Sequence, residues 1–226
     1  MEIMTLPVIE RSYVEHNGTR YARLQGEKKL IVAGDVTGFE GEEQEAGALV
    51  CTLSAVNAAQ LRQRLPWLRP ASLGLETSAG FGDRLGCATV GHLMAVGELD
   101  VAPVLAQQSV RENARTGRTP QQVVDDALWG AFEFGWRKPW GADADHLKTI
   151  DDITPFVAAG YTFYTIDPGD HVDDAAEEDD AKTLREKAAR LDWQTLRTDL
   201  DTLIERLTHT KILQFTELGI LRAVVK

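Results

Sequence analysis

Two short stretches set carboxylates beside a histidine: Gly-Ala-Asp-Ala-Asp-His-Leu-Lys at 141–148 and Thr-Ile-Asp-Pro-Gly-Asp-His at 165–171. Such sets serve hard or borderline divalent metals and proton transfer alike, so an enzyme is expected. In the first stretch, strand alternation puts Asp143 and Asp145 on one side, and His146 turns inward only if the strand ends there. Two carboxylates aimed into an apolar interior are costly unless they meet a metal, a cation or a sugar hydroxyl. The purely structural alternative has Asp145 capping the next helix and pairing with Lys148. In the second stretch Pro168-Gly169 marks a turn, where structural aspartates are common. Asp167, Asp170 and His171 are then either turn residues or contacts to a metal or polyol.

Two further stretches suggest ligand binding. Gly-Phe-Gly-Asp-Arg-Leu-Gly at 80–86 is spaced GxGxxxG, which is not the dinucleotide fingerprint. A tight turn explains it, yet its backbone amides near a helix start, with Asp83 and Arg84, suit a carboxylate or phosphate. The run 107–118 concentrates Gln107, Gln108, Arg111, Asn113, Arg115 and Arg118 in an acidic chain, which suits an anionic, hydroxyl-rich ligand such as a small acid. The alternative is a solvated loop whose arginines bridge to nearby acids. His92 reads as a packed histidine, His16 and His209 as surface residues, and Trp129, Trp136 and Trp140 as helix-face packing, with a sugar-stacking role for Trp140 as the lesser reading.

Strand candidates at 72–77, 101–107, 142–146 and 161–167 alternate with helical periodicity. Thr119-Pro120-Gln121-Gln122 combines an N-cap, a first-turn proline and a capping-box glutamine, and a shorter helix is expected from Asp151 to Ala159, stopped by Gly160. The expected architecture is therefore α/β: TIM-barrel-like (β/α) units over 66–226, forming an incomplete barrel, with a doubly wound sheet as the alternative. In a barrel the loops after the strands gather at one face, where active sites are built. Residues 1–65 form a lead-in containing β-structure, with a hairpin at His16-Asn17-Gly18-Thr19 and strands near 30–33 and 48–53. The run 173–180 reads as a solvated acidic face, and 181–207 as one or two amphipathic helices.

The 226 residues carry 43% hydrophobic content and a net charge of -11, which disfavours nucleic acid and anionic membrane as partners. No apolar run is long enough to span a bilayer, and Met1-Glu2-Ile3-Met4 lacks the basic and apolar regions of a signal peptide, so a cytoplasmic location is expected. Cys51 and Cys87 are expected to be two buried thiols.

The runs GFGDRLG, LAQQSVRENARTGRTPQQVVDDALWG, GADADHLK and TIDPGDHVD, in this order, resemble the tagaturonate epimerase family over roughly residues 66 to 226. The resemblance implies a metal-dependent isomerase that interconverts D-tagaturonate and D-fructuronate by inverting one hydroxyl-bearing carbon. It places the metal and acid/base roles on 141–148, with His146 as ligand of a divalent cation and Asp145 and Lys148 as the catalytic candidates. Asp83, Arg84, Gln107, Gln108, Arg111, Asn113, Arg115, Asp143, Asp167 and His171 are the substrate-binding candidates, the arginines for the uronate carboxylate. Members of the family are about twice as long, so the resemblance also implies the N-terminal half only. An incomplete site and self-association through the exposed half-barrel edge are expected. The alternatives are another metal-dependent ketose isomerase or aldolase, or a non-catalytic half-domain.

Overall fold

An Asn-Gly turn and short apolar strands build the beginning of the chain. Asn17 and Gly18 take φ of 49° and 74°, the left-handed pair that a tight hairpin turn needs, and they join β1 (Val14–His16) to β2 (Thr19–Arg23). Strands β3 (Lys29–Ala33), β4 (Gly41–Glu43) and β5 (Leu49–Thr52) complete an antiparallel sheet in the order β1-β2-β3-β5-β4. Helix α1 (Ala55–Arg64) follows, its N-terminus held by the Ser54 side chain accepting from the Asn57 amide. The expected hairpin and both expected strands of the lead-in are present. The structure, a computed structural model, describes residues 7–44, 47–210 and 215–226, so the reading of the first four residues lies outside it.

Beyond Arg69 the chain alternates strand and helix. β6 (Ser78–Gly82), α2 (Thr89–Val96), β7 (Ala102–Ser109), α3 (Val110–Thr116), α4 (Pro120–Phe134), β8 (Gly141–Leu147), α5 (Ile150–Ala159) and β9 (Phe163–Ile166) occur in that order. The four strands pair in parallel, in chain order, as an open sheet. A mixed α/β fold with a parallel sheet is thus what the sequence anticipated, and the sheet does not close on itself. Thr119 forms the anticipated capping box with Gln122, and Gly160, at φ 85°, stops α5. One apolar core runs through Tyr21, Leu30 and Leu61 to Leu105, Leu128, Phe132 and Trp140, joining the antiparallel sheet, the helices and the parallel sheet.

Several boundaries differ from expectation. The first parallel strand is Ser78–Gly82 instead of 72–77, because the Glu76 amide closes a turn on the Leu73 carbonyl. The glycines at 80 and 82 therefore lie in the strand and not after it. The run 107–118 is not a loop: Gln107–Ser109 ends β7, and the Ser109 hydroxyl accepts from the Glu112 amide to start α3. Trp136 and Trp140 fall beyond the end of α4, buried in the core. Cys51 is buried, as expected, but Cys87 is exposed in the connection from β6 to α2. Desolvation pushes the Cys51 thiol up to about 11.

The described residues fall into two compact units that divide between Ile166 and Asp167. The second contains α6 (Ala181–Ala188), α7 (Trp193–Leu196), α8 (Leu200–Thr208) and α9 (Glu217–Val225) around Ala176, Leu184 and Leu221. Where one or two helices were expected over 181–207 there are three, since Asp192 and Asp199 each cap a new start. The acidic run is pinned by ion pairs of Lys187 with Asp173 and Asp179 and of Lys226 with Glu177. Among the described residues, no helix is long and apolar enough to cross a membrane.

Candidate active site

The carboxyl ends of β7, β8 and β9 bring together Gln107, Asp143 and Thr165, with Asp145 and His146 following on β8. Gln107 and Asp143 stand in register on adjacent strands, so both side chains project from the same face. Asp143 is 3% exposed and accepts two hydrogen bonds, from Gln107 Nε2 to Oδ2 and from Thr165 Oγ1 to Oδ1, each at 2.9 Å. This is how the fold accommodates a carboxylate in that position: neutral donors on the flanking strands replace water. Gly80 makes room for the arrangement, since a Cβ there would lie 2.3 Å from Gln107 Oε1.

Toward the strand end, β8 breaks its register against β9 between Ala144 and Leu147. Within that irregularity His146 takes φ 57°, a left-handed conformation uncommon for a residue other than glycine. Its Nδ1 lies 2.7 Å from Asp145 Oδ2, which leaves Nε2 as the nitrogen offered to a ligand. A carboxylate on one imidazole nitrogen fixes the ring and its tautomer, an arrangement common to general bases and metal ligands. Asp145 does not cap the next helix. The cap of α5 is Thr149, paired reciprocally with Asp152. Hydrogen bonding from the Thr149 backbone first, and from Thr149 Oγ1 and the Lys148 backbone, holds the Asp152 carboxyl below its usual range. Lys148 is exposed and its backbone N–H donates to Asp152.

The remaining candidates divide. Burial pushes the Asp83 carboxyl up, but the backbone amides of Ala88, Cys87, Leu85 and Gly86 outweigh it and lower its pKa, so this side chain organises its own loop. Arg84 Nε donates to Glu112 Oε1 at 2.6 Å. Arg111 and Arg115 are exposed and one turn apart on α3. Gln108 is buried on the neighbouring position to Gln107, so alternation directs it away from Asp143. Its Nε2 and both amide atoms of Asn113 are buried without a hydrogen-bond partner. With Asp83, Arg84 and Glu112, Gln108 lines an open pocket of about 490 Å³. Asp167 and His171 belong to the second unit, where Asp167 Oδ1 accepts from the Gly169 amide and the His171 amide donates to the Pro168 carbonyl. Thr165 was not singled out from sequence. The signal was its place two residues before Asp167 at the end of a strand. Arg118 donates to the Asp83 carbonyl and, at 2.5 Å, to Asp126 Oδ2, and so braces the connection below α3.

No group of three or more His, Cys, Asp or Glu side chains that could hold a metal ion exists among the described residues. Asp143 is satisfied by amide and hydroxyl donors, and Asp145 is spent on His146. The donor set among the described residues does not by itself fit a divalent cation.

Comparison with known proteins agrees with the motifs. The chain is 41% identical over 173 residues to the tagaturonate/fructuronate epimerase of Thermotoga maritima, a match covering 73% of this chain and 36% of that protein. The fructuronate-tagaturonate epimerase of Cohnella laeviribosi with one glycerol bound superposes with a TM-score of 0.79 at 31% identity, over 98% of this chain and 47% of that one. Its native form gives the same score over 96% and 46%. The chain therefore spans between a third and a half of the length of the relatives it matches. Residues 11–219 match the family model described as tagaturonate epimerase, and the chain belongs to that family.

Proposed function

We propose that this chain forms part of an enzyme that interconverts D-tagaturonate and D-fructuronate, and that its share of the active face is the carboxyl end of β7–β9, one side of a (β/α) barrel. The observation that carries this reading is the Asp145–His146 pair set in a backbone irregularity beside the Gln107–Asp143–Thr165 network. Inverting a hydroxyl-bearing carbon requires a group that takes a proton and one that returns it, whether a C–H bond or a C–C bond is opened in between. His146 Nε2 is placed to hold that proton, with Asp145 orienting the ring through Nδ1. Asp143 and Gln107 offer acceptors and donors to sugar hydroxyls. Arg111 and Arg115 supply positive charge for the uronate carboxylate. Because the donor set does not complete a cation site, a divalent metal would draw its other ligands from outside the described residues.

A chimera tests this. Residues 11–219 of this chain, placed in the Thermotoga maritima epimerase in exchange for the matching segment, should yield a protein that converts tagaturonate to fructuronate by chromatographic assay. His146→Ala in that chimera should lower turnover by about 100-fold or more, within the range of general acid–base contributions. A folded chimera without activity, or an unaffected His146→Ala variant, refutes the assignment.

A further inference from the structure

A cavity of about 680 Å³ opens where the turn between β2 and β3 meets α2 and α4. None of its walls comes from the Gln107–Asp143–Thr165 network or the Asp145–His146 pair, and all of them lie in the first compact unit. Cavities of about 300–1,000 Å³ that combine apolar walls with a few fixed polar groups are typical ligand sites. Here Leu24, Leu53, Val90 and Trp129 supply the apolar surface.

The polar groups on those walls are unbalanced in one direction. Each acid already has a cation: Glu133 has Arg23 at 3.0 Å, Glu27 has Lys29 at 3.1 Å and Asp126 has Arg118 at 2.5 Å. Lys28, exposed in the turn between β2 and β3, pairs with no acid among the described residues. Arg23 is 4% exposed and donates from Nε and Nη2 to Glu133 and from Nη1 to the Lys29 carbonyl, so two of its five N–H groups have no acceptor. Trp129 is 5% exposed, and its Nε1 is buried with no hydrogen-bond partner. A buried indole N–H ordinarily finds an acceptor, and one left unmade is destabilising. The missing partner is thus an acceptor that carries negative charge. We propose that the cavity binds a small organic anion, a carboxylate on an aromatic or branched apolar body. Its carboxylate accepts from Trp129 and Arg23 and meets the charge of Lys28, while the body covers Leu24, Leu53 and Val90. A sugar acid suits these walls less well, because its hydroxyls would lose water against apolar side chains. Such binding is independent of the epimerase reaction proposed above.

Isothermal titration of the full chain with 1-naphthoate, an aromatic carboxylate, tests this. The expected result is saturable binding of one naphthoate per chain. Uncharged 1-naphthamide should bind about tenfold more weakly, and galacturonate, a hydroxylated anion, should not displace naphthoate. Trp129→Phe keeps an aromatic ring but removes the N–H, and should weaken naphthoate about tenfold. Lys28→Glu should weaken it about fivefold. Should Trp129→Phe lose the native circular dichroism spectrum, Lys28→Glu, in an exposed turn, still reads the site. Cys87 lines the same cavity, so saturating naphthoate should slow its alkylation by iodoacetamide. The proposal is overturned by an absence of saturable binding, by naphthamide binding as tightly as naphthoate, or by displacement with galacturonate. It is equally overturned by an affinity that a folded variant leaves unchanged, or by an alkylation rate that naphthoate does not slow. Titration reports the cavity and turnover of the chimera reports the function, so either can fail alone.

Discussion

Asp143 separates structural from chemical use of the site. Replacing it with alanine removes an acceptor of two hydrogen bonds at 2.9 Å and leaves Gln107 Nε2 and Thr165 Oγ1 without it. Hydrogen bonds to a charged group contribute about 1.5–3 kcal/mol each, offset by relief of the carboxylate's desolvation. The net loss should be about 3 kcal/mol, which lowers Tm by roughly 6–12 °C for a chain of this size. Asp143→Asn behaves differently. Its carbonyl oxygen still accepts from Thr165, and its amide donates to Gln107 once that side chain flips to present Oε1, so about 1 kcal/mol of charge-assisted strength is lost. Urea denaturation of the three proteins, followed by tryptophan fluorescence, measures the difference. If the alanine variant is as stable as wild type, the network holds nothing. If the asparagine variant falls as far as the alanine one, the carboxylate charge itself is required and the amide–hydroxyl account of its burial is wrong.

Two further outcomes follow from other residues. Native protein should react with a thiol reagent at Cys87 alone, Cys51 becoming reactive only on unfolding, because one thiol is exposed and the other is buried with its pKa pushed up to about 11. Two fast-reacting thiols in the native state would contradict that burial. Burial also raises the Asp126 carboxyl, more than its bond from Arg118 lowers it. The folded state then holds this proton more tightly than the unfolded state does. Its stabilising contribution is present in full below the ordinary carboxylate range and is lost as pH rises through the raised folded value. Asp126→Asn should flatten the stability profile over that interval, and a profile identical to wild type in shape would remove Asp126 as its source.

How much of this was legible beforehand depended on the range of the interaction. The α4 start at Thr119 and the α5 stop at Gly160 were readable because caps are local hydrogen-bond patterns spelled within four residues. The β6 position was not, since the glycines at 80 and 82 look like a turn until β7 supplies the parallel partner that makes them a strand. The helix α3 hid inside a polar run because its start relies on one serine, Ser109, whose capping role shows only once β7 ends there.

The same division holds at the site. Sequence alone determined which residues cluster at strand ends, because period-two alternation and motif order are properties of the chain itself; Asp143, Asp145, His146 and Gln107 were all named from it. Only the tertiary structure decided their partners. Thr165 reaches Asp143 from the adjacent strand, Asp83 turns to the backbone amides of its own loop, and His146 takes a left-handed backbone within a break in register. Hydrogen bonds between residues 22 and 36 positions apart depend on strand pairing, and that pairing is set by the packing of the whole sheet and not by the neighbours of any one residue.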